Sequence, residues 1–176
     1  MKKVIFIILI FLGLTACTNS VYILLDNEEC CTIEHGELTP EYWANFNNSR
    51  AALKEVWPYF RTGVREYKDN FGGHFIDRNG FFNINFVGRS SPVESDYLIF
   101  HRVTHSYNFL SEIKDVIVEF MEDFGIWELA VCISCNRVSI VMECENMIPL
   151  ILNLLRSEGL LRRNTLVILV YEFDFL

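Results

Sequence analysis

Proline is scarce, with 4 residues in 176, and glycine is held to 9. That excludes a collagen-like chain and a Pro/Gly-rich disordered one. Basic residues are in deficit: 15 Lys+Arg stand against 23 Asp+Glu, a formal charge of -8. No basic stripe is available to neutralise phosphates, which argues against nucleic acid as a partner. No apolar run reaches the roughly 20 residues of an ordinary spanning helix. The chain has no His-Glu-x-x-His pair, no nucleophile elbow around Ser90 or Ser91, and no glycine-rich phosphate loop. No catalytic site, metal or cofactor is therefore expected. What is abundant is apolar surface. Hydrophobic residues make up 51% and aromatics 14%, enough for one compact domain or two very small ones.

The N-terminus reads as an address. Met1, Lys2 and Lys3 form a positive start, and Val4 to Leu14 is an uncharged apolar run of 11 residues. At roughly 1.5 Å per residue this gives about 16 Å of helix, too short to span a bilayer core and of the proportions of a secretory signal. The following Leu14-Thr15-Ala16-Cys17 resembles the bacterial lipobox. Small residues let a peptidase reach the backbone, and the Cys17 thiol carries the lipid. The resemblance implies cleavage after residue 16 and a diacylglyceryl Cys17 at the extracytoplasmic face of a bacterial membrane. One acyl chain anchors only marginally and two anchor stably. Loss of Lys2 and Lys3 lowers the formal charge from -8 to -10. So acidic a body is repelled by anionic lipid, and the anchor rather than the protein surface must hold it.

Residues 17–38 read as the lipidated end and an acidic tether. With Cys17 committed to lipid, Cys30, Cys31, Cys132, Cys135 and Cys144 remain as candidate disulfide or free thiols. An odd number outside the cytoplasm leaves at least one free or intermolecular. Cys132-Ile-Ser-Cys135 has the form of a redox or zinc pair. It lies on an alternating run, where positions i and i+3 face opposite sides, so the thiols converge only where the strand ends. No helix starts there to depress a thiol pKa. Buried or incidental thiols are the plainer expectation.

The remainder alternates helices and hairpins. Thr39-Pro40-Glu41 is a helix start, and Asn48-Ser49 offers a second. Leu53, Val56, Trp57, Phe60, Val64, Tyr67 and Phe71 recur at helical spacing, with a kink or restart at Pro58 and an end at Gly72-Gly73. Asn79-Gly80 predicts a hairpin because both residues tolerate positive φ. Its second arm puts Phe82, Ile84 and Phe86 on a buried face, and Asn83 and Asn85 on a polar one. Tyr97–Val103 reads as a strand. Ser106 or Asn108 then caps a helix whose stripe runs to Phe124, stopped by Gly125. A second hairpin over 126–144 turns near Asn136. Asn146 caps a short helix ending at Gly159, and Thr165–Phe173 is the last strand. The class is α+β, with amphipathic helices on antiparallel sheets. Residues 39–95 form a helix-plus-hairpin subdomain. Residues 96–176 have the strand-helix-hairpin-helix-strand order of a ferredoxin-like subdomain.

Phe71-Gly72-Gly73-His74-Phe75-Ile76-Asp77, with Asn79-Gly80 and the arm to Val87, is similar to the first motif of pro-regions of secreted chymotrypsin-like bacterial proteases, of the alpha-lytic protease and streptogrisin type. Val103–Leu110, Gly125-Ile126 and Asn136-Arg137-Val138-Ser139-Ile140 resemble their second motif. The resemblance covers about residues 49–145. It implies a folding helper that also inhibits its protease through an edge strand and a C-terminal tail. No Gly-Asp-Ser-Gly-type nucleophile segment follows in this sequence, so such action is expected in trans.

His74, His101 and His105 read as structural or surface residues, since none has a ligand or acid partner in the pattern. Glu112, Asp115, Glu119, Glu122 and Asp123 read as one solvated helix face. The C-terminal run is the most suggestive. Glu172 and Asp174 alternate with apolar neighbours, and Val170, Tyr171, Phe173 and Phe175 would form an edge for strand addition. The expected function is a non-enzymatic, membrane-anchored interaction module with an extracytoplasmic protein partner. Alternatives are a structural envelope lipoprotein without a specific partner, and a small hydrolase or redox protein using Cys132, Cys135 or His105.

Overall fold

In the computed structural model, residues 38–170 are described, apart from positions 65, 92 and 144. Thr39 opens helix α1 (Pro40–Phe60), and its Oγ1 accepts a hydrogen bond from the Tyr42 amide at 3.1 Å. Pro40 sits in the first turn, where its missing amide is not needed. The helix runs through Asn48-Ser49 without a restart, and Ser49 donates its hydroxyl to the Tyr97 carbonyl at 2.6 Å. The helix ends at Phe60, earlier than the apolar spacing predicts. Pro58 lies in its last turn, and Arg61 leaves in an extended conformation. Val64, expected on the buried face, is 88% exposed.

Strands β1 (Phe71–Ile76), β2 (Phe82–Phe86) and β3 (Leu98–Arg102) form one sheet in that order. Gly72-Gly73 lies inside β1 and ends no helix. The register slips between Phe71 and Gly73, which is a bulge. β1 and β2 pair antiparallel, whereas β3 runs parallel to β2. Leu53, Val56 and Phe60 of α1 bury against Phe71, Phe82, Ile84, Phe86 and Leu98. The α1 stripe and the Phe-Ile-Phe face of β2 thus make one core.

Helix α2 (Tyr107–Val118) begins with Ser106 as cap, its Oγ accepting from the Phe109 amide at 3.2 Å. The helix stops at Val118, although the apolar stripe continues to Phe124. Phe120 and Met121 instead bond three residues back. Glu119, Glu122 and Asp123 crowd this end, where the helix dipole disfavours acids. The second sheet has the order β4-β5-β6, from β4 (Ile126–Cys132), β5 (Arg137–Met142) and β6 (Leu166–Val170). Only four residues join β4 to β5, too few for anything but an antiparallel hairpin. β6 is parallel to β5 and is reached through a 3-10 turn (Glu145–Met147) and helix α3 (Ile148–Ser157). Asn146 lies inside that turn and does not cap α3, whose N-cap position is Met147 without a side-chain bond. Val138, Ile140, Met142, Ile151, Leu155, Leu166 and Ile168 are buried.

The fold is α+β, and both three-stranded sheets are mixed. The strand-helix-hairpin-helix-strand order from β3 to β6 is present along the chain, with β3 belonging to the first sheet. Among the described residues the chain divides into two compact units, one of residues 38–110 with 132–136, the other of 111–131 with 137–170. The division falls within α2 rather than at residue 95. The tip of the second hairpin belongs with the first sheet.

Gly80 gives the sharpest test of the first hairpin. The loop is Arg78-Asn79-Gly80, closed by the Asp77 amide donating to the Phe81 carbonyl at 3.0 Å. Only Gly80 has positive φ, +86°. This is a three-residue loop with glycine in the left-handed position. A Cβ at Gly80 would also strike the Tyr42 carbonyl oxygen of α1. Gly80→Ala is expected to cost at least about 2 kcal/mol, from strain and backbone clash together. Urea denaturation of the two proteins measures it, and an unchanged midpoint would refute this account of the turn.

Candidate functional site

The chemistry-bearing residues of the first unit collect in two places. One is the far face of β2. Asn83 and Asn85 were expected on a polar, open face, yet both are buried, Asn85 to 1% exposure. Their hydrogen bonds explain how this is tolerated. Asn83 Nδ2 donates to Asp77 Oδ2 at 3.2 Å and to the Phe81 carbonyl at 3.1 Å. Its Oδ1 is then left as acceptor for His101 Nε2 at 2.7 Å. Asn85 Nδ2 donates to the Ile133 carbonyl at 2.6 Å.

Ile133 belongs to the turn Cys132–Asn136, which covers this face. Gly73 makes the approach feasible: its φ is +108°, and a Cβ there would lie 2.6 Å from Ile133 Cγ2. Asn136 closes the turn with a left-handed φ of 54° and is 7% exposed. Its Oδ1 accepts from the amides of Thr104 at 3.2 Å and His105 at 2.8 Å. Its Nδ2 donates to the His105 carbonyl at 2.7 Å. One side chain thereby serves both backbone groups of a buried histidine. Cys132 and Cys135 are each disulfide-bonded. The Ser134 hydroxyl lies 3.5 Å from Cys132 Sγ and 3.9 Å from Cys135 Sγ. β4 ends at Cys132, earlier than the strand to Cys135 that the alternation predicts, so Cys135 lies in the turn.

The second place is an aromatic cluster around His74 and Arg61. The Arg61 guanidinium lies 4.1 Å over the Trp57 ring and 4.9 Å over the Tyr67 ring, and its Nη2 donates to Tyr67 Oη at 2.9 Å. His74 meets Trp57 edge-on at 5.2 Å and stacks near Phe82 at 5.9 Å. Burial first, and the Arg61 cation second, hold the His74 imidazole below its ordinary 6.5.

Cys132 and Cys135 share the turn just described. Val170 is half-buried on β6, which stands at an edge of its described sheet. Cys17, Cys30, Cys31, Cys144, Tyr171, Phe173 and Phe175 lie outside the described residues. His101 and His105 are apart in role: one is exposed on β3, the other buried before α2. Among the described residues no group of three or more His, Cys, Asp or Glu is placed to hold a metal ion, and no helix is long and apolar enough to cross a membrane. Sequence reading missed the Asn136 bracket and the buried asparagines of β2. The available signal was Asn alternating with Phe and Ile on a short strand between glycines. No family model matches the chain, and no curated protein is detectably similar to it in sequence.

Asn136→Ala removes every one of those side-chain bonds at once and leaves Ala in the left-handed region. The expected loss is about 3 kcal/mol, read from urea unfolding. A loss under about 1 kcal/mol would mean that water serves the freed groups. His74 predicts a pH effect. Its folded pKa is depressed, so the unfolded chain binds the proton more readily. The associated stability is present above the ordinary value and is lost as pH falls through it towards the folded value. Between about pH 8 and about pH 5, wild type is expected to lose more unfolding free energy than His74→Phe. Equal losses would discard this assignment.

Proposed function

We propose that this chain is a non-enzymatic bacterial lipoprotein, held by a diacylglyceryl Cys17 at the extracytoplasmic face of a membrane. Its α+β body binds another extracytoplasmic protein through a sheet edge. The observation that carries the reading is Leu14-Thr15-Ala16-Cys17, whose Leu14 closes an 11-residue apolar run. The disulfide bonding of Cys132 and Cys135 supports it from an independent side, because disulfides persist in oxidising compartments and are rare in the cytosol. Among the described residues β6 stands at the edge of its sheet, which supports the mode of binding. An edge strand carries unpaired backbone groups, and its sequence continues into the alternating Tyr171–Leu176. The two pro-region-like motifs suggest the partner class, a secreted chymotrypsin-like protease that the protein inhibits or helps to fold in trans.

Two measurements test this. The intact mass of wild type expressed in a bacterial host is expected to lack residues 1–16 and to include the lipid, whereas Cys17→Ala retains its N-terminus and stays without acyl groups. An unprocessed wild type removes the anchor. Detergent-solubilised full protein is expected to lower the activity of secreted chymotrypsin-like proteases of its host, and Val170→Lys to weaken that effect at least about tenfold, or ~1.4 kcal/mol. Unchanged protease activity at micromolar protein removes the protease-directed version.

A further inference from the structure

We propose that the start of α1 rests in the interface of a zwitterionic bilayer, with Leu38 and Trp43 seated at the level of the lipid head groups. This rests on the reading of Cys17 as the lipidated residue. Leu38 and Trp43 keep 62% and 46% of their surface exposed. They stand at the end of the described chain that leads back to Cys17. The Trp43 ring is packed on neighbouring rings: it meets Tyr42 edge-on at 5.5 Å and Phe46 at 5.7 Å. Phe46 in turn packs on Phe82 of β2 at 5.6 Å. A large ring held in place by the core loses little freedom on entering lipid. Its apolar body and single indole donor suit the boundary between acyl chains and water.

The tether sets the geometry. Residues 18–37 separate Cys17 from Leu38, and at full extension they reach no more than about 70 Å. An anchored protein is therefore confined near the bilayer, and the point of α1 where the tether enters is the part confined most closely. Contact there is intramolecular, so a weak interaction suffices to populate it. The choice of lipid follows from charge. Glu41 stands in the same first turn of α1, and the whole chain is acidic, so an anionic surface repels this end. Zwitterionic lipid does not.

The test uses the lipid-anchored full-length protein in phosphatidylcholine vesicles whose acyl chains carry bromine near the head group. Flotation first establishes anchoring. Bromine is expected to quench part of the tryptophan emission of wild type. Trp43→Phe is expected to lose that quenching, and Leu38→Gln to reduce it. Part replacement of phosphatidylcholine by phosphatidylglycerol is expected to weaken it. A protein that floats without Trp43-dependent quenching overturns this inference and leaves the anchor standing. A blue-shifted Trp43 emission without quenching also overturns it, because a protein surface then covers the ring. Undiminished quenching on phosphatidylglycerol overturns the choice of zwitterionic lipid. A protein that does not float overturns the lipidation of Cys17, and this inference with it.

Discussion

Backbone amides and carbonyls taken out of water need partners, and in the first unit asparagine side chains supply them where no strand or helix does. Asn136 serves Thr104 and both groups of His105, and Asn85 serves Ile133. Without these bonds the turn Cys132–Asn136 would lie over a sheet face with its polar groups unanswered. With them, β2 is buried on both sides. The bulge at Gly72-Gly73 and the lack of a side chain at Gly73 belong to the same arrangement, since they leave room for Ile133.

This arrangement also explains which parts of the fold were legible in the sequence. Local chemistry read well. Thr39-Pro40, Ser106, Gly80 and the turn at Asn136 were recognisable because a cap or a left-handed residue acts within a few positions of itself. Spacing alone misled where a different local preference prevailed. Val64 and Tyr67 continue the period of α1, but the chain leaves the helix after Phe60, and Val64 turns to solvent. Phe120 and Phe124 continue the period of α2, but acids at its end favour tighter turns. The partners of Asn83 and Asn85 were not legible, because Ile133 is 48 positions from Asn85 and an alternating pattern looks the same whether its polar side meets water or another segment. The third strand of each sheet was visible as a strand, while its parallel pairing was not.

The candidate site follows the same division. The Cys132–Cys135 motif is visible in the sequence, but the alternation carries the strand on to Cys135, whereas β4 ends at Cys132. That both cysteines are disulfide-bonded is a property of the folded chain. His74 shows no motif, because its distinction comes from Trp57 of α1, Arg61 just after that helix, and Phe82 of β2. An imidazole set among rings and beside a cation prefers to stay neutral, and here it packs against Trp57 and Phe82.

The first unit is discontinuous, since residues 132–136 complete it only after the intervening twenty-one have been made. During synthesis, Asn85 and His105 leave the ribosome well before the segment that satisfies them. A chain stopped at residue 110 would hold β1 to β3 without their cover. Completion of the sheet is thus a late event, coupled to formation of the second hairpin.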